Sequence, residues 1–293
     1  MRHVILWSTF AFWAVMMVLL YRDHIRPQVP QALDDRALEA LFGDDFEPIA
    51  LRSIWFGEAV GKDPGTRLGW LETRSLRVTP DEMQVRNRIS IQPPRTMAAL
   101  IPGSAEITGM GVATISRFQG LREYTAQFQG LGMEFFLHGV RKGDYLEVEQ
   151  TPGINGEWKE TRVETYALEE GASADVGFSP FRRLSHLEEG MEWEIALIDP
   201  SRPDAGRPVV SKARVTGKAN ITIDGHETET FEVNCLNGKA RAWYSPDGVV
   251  LRETWLLLGT IPVTLQREDS GRARGAFGHP TAMPRLMRPP KRK

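Results

Sequence analysis

Metal or nucleophilic chemistry in this chain would have to rest on a handful of side chains. Six histidines stand at positions 3, 24, 138, 186, 226 and 279, and no two have the i, i+2 or i, i+4 spacing of a metal-binding pair. Cys235 is the one cysteine, so no intrachain disulfide can form. It alternates with Phe231 and Val233, which marks it as a small core residue on the inner face of a strand. No Gly-x-Ser-x-Gly elbow occurs, and Cys235 has no base close to it in sequence. The stretch from Gly109 to Gly120 has the glycines of a nucleotide loop but lacks the closing Gly-Lys-Ser/Thr. Gly109 and Gly111 are better read as relieving crowding in a strand or bending it. The Leu-Glu-Glu runs at 168–170 and 187–189 flank turns, as solvated carboxylates do, and no spacing suggests a glycosidase acid pair. The expectation is a protein that is not an enzyme, with no catalytic residues, no metal and no cofactor. No ligand-binding residue is singled out. A hydrolase centred on Cys235 or His186 is a third-ranked reading.

A formal charge of -2 over 293 residues gives no case for nucleic-acid binding. The charge is unevenly spread. Residues 4–21, VILWSTFAFWAVMMVLLY, carry none. As a helix they cover about 27 Å, close to the hydrocarbon thickness of a bilayer, with Trp7 and Tyr21 near the two headgroup levels. A cleaved signal peptide would have a shorter apolar run and a small-x-small site, whereas this run passes straight into YRDH. Residues 1–24 are therefore read as an N-terminal membrane anchor. Arg2 before the span and Arg22 and Arg26 after it nearly balance, so charge barely orients it. The very short leading tail favours an N-terminus inside and the bulk outside. The expected location is the inner membrane, single-pass, with the remainder on the extracytoplasmic side. Residues 25–49 read as a proline-bearing spacer and a short helix. Asp34 or Asp35 would cap it, Leu38, Leu41 and Phe42 would share one face, and Gly43 would end it. Residues 271–293 hold seven Lys or Arg, no acid and four prolines. They read as a basic disordered tail, either simply solvated or drawn to anionic headgroups or an acidic partner.

Between residues 50 and 270 the dominant period is two. Met83, Val85, Ile89 and Ile91 alternate with Gln84, Arg86, Arg88 and Ser90. Val215, Ala219, Ile221 and Ile223 alternate with Thr216, Lys218, Asn220 and Thr222, and Ile261, Val263 and Leu265 repeat the pattern. Turn signals separate these runs at Gly143, Gly153, Gly156, Asp224-Gly225, Asn237-Gly238 and Asp247-Gly248. Strands joined by tight turns pair antiparallel, and no long helical pattern intervenes. A break near 171–190, with a Ser-Pro start and a helical turn through Phe181, Leu184 and Leu187, divides the region. The expected fold is mainly β, one curved antiparallel sheet with short covering helices. Two stacked β subdomains is the alternative.

The aromatic residues Tyr124, Phe128, Phe135 and Phe136, with Met133, read either as ordinary core or as the lining of an apolar concavity. Trp55, Trp70, Trp193, Trp243 and Trp255 add large rings. Three stretches, SIWFGEAVGKDPGTRLGWLETRS (53–75), LEEGMEWEIALIDP (187–200) and ARAWYSPDGVVLRETW (240–255), occur in an order that resembles a bacterial envelope family of unknown function. The fold of that family is similar to the LolA-like half-barrel of periplasmic lipoprotein and lipid carriers. The resemblance implies such a half-barrel, and a role in holding or passing a lipid, another apolar ligand or a lipidated partner. It implies no catalytic residues, and nothing here matches the transglutaminase-like domain that some relatives carry. The anchor favours a tethered acceptor over a free shuttle. The other reading is an interaction or scaffolding subunit of a transporter-like envelope complex, with a filled core and no ligand.

Overall fold

The computed structural model describes residues 41–43, 47–57, 66–92, 106–130, 133–154, 157–167, 175–176, 179, 181–184, 186–198, 209–223, 225–235, 238–257 and 261–268. The expected anchor, spacer and basic tail lie outside them, as do the first seven residues of the expected short helix. Among the described residues no helix is long and apolar enough to cross a membrane.

The chain forms β1 (Ile49–Phe56), β2 (Arg67–Thr79), β3 (Glu82–Ile91), β4 (Ile107–Ser116), β5 (Gly120–Gly130), β6 (Met133–Lys142), β7 (Tyr145–Ile154) and β8 (Glu157–Trp158). It continues as β9 (Arg162–Ala167), β10 (Asp175–Val176), β11 (Glu192–Ile198), β12 (Val209–Ile223), β13 (His226–Cys235), β14 (Ala240–Tyr244), β15 (Val250–Leu257) and β16 (Ile261–Arg267). All sixteen join one sheet in the order β10-β11-β12-β13-β14-β15-β16-β1-β2-β3-β4-β5-β6-β7-β8, with β9 also on β7. Fifteen strands pair antiparallel, and two-residue β10 adds to β11 in parallel. The two halves on either side of the 171–190 break are thus parts of one sheet. They meet where the first strand pairs with the last, Ile54 opposite Leu265. The edge strands come from the middle of the sequence, and the first and last strands, β1 and β16, lie inside the sheet.

Alternation decides which side chains are buried. Met83, Val85, Ile89 and Ile91 are all buried on one face of β3, and Gln84, Arg86, Arg88 and Ser90 are half-buried on the other. Asn87 shares the apolar face and is satisfied across the sheet at 2.8 Å by the Thr73 hydroxyl. Two bulges break the expected alternation. In β12 the register shifts between Val215 and Gly217, so Val215 faces Val233, whereas Ala219 and Ile221 turn to the other face opposite Thr230 and Thr228. In β15 the register skips Leu251, so Val250 opposite Tyr244 and Glu253 opposite Ala242 share the apolar face, and Arg252 opposite Trp243 takes the polar one. One inserted residue reverses every later side chain.

The expected cover of short helices is also corrected. Phe181, Leu184 and Leu187 do bury together against the apolar face, but the strap that carries them, 181–191, is not helical where described. Its backbone bonds mainly to the sheet, with one turn of its own, the Met191 N–H donating to the Glu188 carbonyl at 3.2 Å. The Leu184 N–H donates to the Gly248 carbonyl at 3.0 Å, the Gly190 N–H to Val215 at 2.9 Å, and the Val215 N–H to Met191 at 2.9 Å. His186, with φ 56°, turns the strap through the left-handed region, which ends any helical run. At the N-terminal side, Phe42 and Gly43 do end a helical turn. Phe42 rests on Met83, Val85 and Ile115, and Arg77 Nη2 donates to the Phe42 and Gly43 carbonyls at 2.9 Å.

Candidate functional site

The apolar face carries one buried polar cluster, and β15 places its centre. Glu253 is 0% exposed, on the same face as Tyr244 and Val250. Ser179, at the start of the strap, donates to Glu253 Oε2 at 2.6 Å and accepts the Phe181 N–H at 3.1 Å. From β1, Arg52 Nη1 reaches Glu253 Oε1 at 3.4 Å. Burial raises the Glu253 pKa above the usual carboxylate range, and Arg52 and Ser179 pull it only partly back. Arg182 on the strap is pushed down to about 10 by burial and by the nearby Arg52. Tyr244 is held well above its ordinary value by burial and then by Glu253. The cluster latches the strap. Glu253 is fully buried in it, and Arg52, Ser179 and Arg182 are half-buried around it.

Cys235 belongs to the same region. Burial, and after it the Glu253 charge, push its thiol up to about 12. A nucleophile needs the opposite shift. Iodoacetamide at pH 8 should label Cys235 slowly in the folded chain and quickly in urea; labelling of the folded chain at a free-thiol rate would contradict this environment. His186 is exposed on the strap, and His226 is exposed at the start of β13. His138 Nδ1 on β6 lies 3.3 Å from the Thr125 hydroxyl and 3.9 Å from Glu123 Oε1. The structure thus does not bring Cys235 and a histidine into one described contact. Among the described residues no three His, Cys, Asp or Glu side chains are placed to hold a metal ion.

The aromatic residues divide. Phe128 is buried against the strap cluster, and Phe135 is half-buried at its margin with Met191, Trp193 and Phe231. Phe136, on the opposite face from Phe135, is buried as well. Tyr124 lies flat over Gly139, where an added Cβ would come within 2.1 Å of its ring. Its hydroxyl is buried with no hydrogen-bond partner among the described residues. Tyr124→Phe should therefore leave stability unchanged or raise it by about 1 kcal/mol, since an unmade buried hydrogen bond is removed. A loss of stability in chemical denaturation would mean that the hydroxyl has a partner.

The polar face offers an open groove of about 340 Å³ across β2 to β5. Trp70, Arg88, Met110, Gln127 and Gln129 line it. Arg88 lies over the Trp70 ring, 5.2 Å from its centroid, and makes a flat cationic wall. Ser90 donates to Glu106 at 3.1 Å and Gln129 to Glu134 at 3.0 Å, so the rim is held in place. Sequence reading identified Trp70 as a large ring and Arg88 as wet-face, but not their stacking, because the contact is a diagonal between neighbouring strands. Such a groove can take a planar or carboxylate-bearing group beside an apolar one. No family model matches the chain, and no curated protein or solved structure matches it either.

Proposed function

We propose that the chain is a membrane-anchored, non-enzymatic extracytoplasmic β protein, curved like the half-barrel of lipoprotein carriers, that works as an interaction subunit of an envelope complex. One observation carries this reading: the apolar face is occupied by the chain's own strap, Phe181, Leu184 and Leu187, whereas the Trp70–Arg88 groove on the polar face stays open. A filled face suits a structural role, and an open groove with fixed polar rims suits a partner segment. The unactivated thiol of Cys235 supports a role without catalysis.

The second reading, a lipid or lipidated partner on the apolar face, draws on the half-buried Phe135, Met191, Trp193 and Phe231 that border the strap. An acyl chain would have to displace the strap there. Photocrosslinking in membranes from Gln127 separates the two. The interaction reading expects one discrete protein adduct, lost when Trp70→Ala is introduced; no adduct, or one insensitive to Trp70→Ala, counts against it. Protease added outside spheroplasts should digest the β domain, and a protected domain would reverse the orientation.

A further inference from the structure

Among the described residues eight large apolar side chains are exposed, and five of them lie at one end of the sheet; Phe56 and Ile154 lie at the other end and Val163 on β9. The β2–β3, β4–β5 and β6–β7 turns lie together there, at 80–81, 117–119 and 143–144. Phe118 at the β4–β5 tip is 74% exposed, with Leu76 at 56%, Val78 at 53% and Tyr145 at 55%; Ile49, at the start of β1, joins them at 42%. At about 4.8 Å per strand, β2 to β7 spans about 24 Å. The tips are braced into one ledge. The Ser116 hydroxyl accepts the N–H groups of Phe118 and Gln119, and the Arg117 N–H donates to Asp81 at 2.9 Å. The Arg141 guanidinium donates to the Gln119 and Gly143 carbonyls. A rigid turn that holds a phenylalanine in water gains nothing for folding, and five exposed apolar side chains at one end of the sheet together offer a contact surface.

The chain also enters the domain here, since Phe42 rests on Met83, Val85 and Ile115 beside these turns. Residues 4–21 lie upstream, and the nineteen residues 22–40 between them and Leu41 reach at most about 65 Å. We propose that this ledge rests on the bilayer, with Phe118, Leu76, Val78 and Tyr145 at the headgroup level. The proposal rests on residues 4–21 being a membrane anchor. Separate tips strung over the ledge suit a fluid surface better than a close-packed protein interface. The aromatic rings Phe118 and Tyr145 suit the headgroup zone; the cations beside them are matched by acids, Arg122 by Glu82 and Lys142 by Glu147, so apolar contact and not net charge holds the ledge there.

The test uses the full chain in phosphatidylcholine–phosphatidylglycerol vesicles, with bimane attached at Phe118→Cys, at Leu76→Cys on a separate strand, or at Phe56→Cys at the opposite end. Cys235 is buried and stays unlabelled. Headgroup-level spin-labelled lipid should remove most of the fluorescence at 118 and 76 and leave position 56 bright. A chain that floats with vesicles but shows equal quenching at both ends, or none at 118, overturns the ledge alone. A blue-shifted but unquenched probe at 118 means that a second copy or a protein partner covers it, and also overturns the ledge. A chain that does not float with vesicles overturns the anchor and the ledge together.

Discussion

Gly248→Ala should destabilise the protein by about 3 kcal/mol or more and release the strap. Gly248 has φ +72°, and a Cβ there would lie 1.5 Å from the Leu184 carbonyl oxygen. The left-handed conformation alone costs about 1–2 kcal/mol for alanine. The clash adds the larger part, because relieving it breaks the Leu184–Gly248 hydrogen bond and lifts Phe181 and Leu184 out of the core. Gly143 separates the two effects: its φ is +64°, but nothing lies within 4 Å of an added Cβ. Gly143→Ala should cost only the conformational part, about 1–2 kcal/mol. Denaturant midpoints measure both, and trypsin should cut at Arg182-Arg183 far faster in Gly248→Ala than in Gly143→Ala. Equal costs would mean that the strap does not bear on the turn.

Glu253→Ala should cost about 3–5 kcal/mol, since it leaves Arg52 buried without its carboxylate and frees Ser179. Glu253→Gln should cost less, because the amide can still accept the Ser179 hydroxyl. The two also separate by pH. The folded-state pKa of Glu253 is raised, by burial first, so folding favours its protonated form. Its contribution is full below the unfolded carboxylate value, about 4.3, and is lost as pH rises through the folded value. Wild type should therefore lose stability relative to Glu253→Gln as pH is raised across that window. Arg52, Arg182, Tyr244 and Cys235 surround the same carboxyl. Arg182, Tyr244 and Cys235 titrate well above that window, so the difference belongs to Glu253. A parallel pH dependence in the two proteins would contradict the buried latch.

Sheet character was readable from sequence wherever alternation ran unbroken, as in Met83 to Ile91, because one wet and one buried face impose period two on side-chain chemistry. It misled in β12, where Ala219 and Ile221 do not share the face of Val215. A bulge adds one backbone residue with no change of composition to announce it, and each later side chain then changes face. The strap shows the opposite case. The apolar set Phe181, Leu184 and Leu187 was correctly grouped, but helical spacing was not its cause. An irregular segment bonded to neighbouring strands can bury the same three side chains. The Ser-Pro-Asp-Gly turn also does more than reverse the chain, because Gly248 is the seat on which the strap docks. The Glu253 latch was not legible, since its parts lie 201 and 74 residues away in sequence. Nothing local marks Glu253 as buried. The groove was half legible, its rings and charges visible and their cross-strand placement not.

Phe181, Leu184 and Leu187 of the chain's own strap occupy the apolar face where an acyl chain would sit. Native mass spectrometry of the full chain released from membranes in mild detergent tests this most directly. The expected spectrum shows the chain alone or with a stoichiometric protein partner, and no retained lipid. A stoichiometric lipid that stays bound to the folded chain and leaves when the strap is cut at Arg182-Arg183 would contradict it.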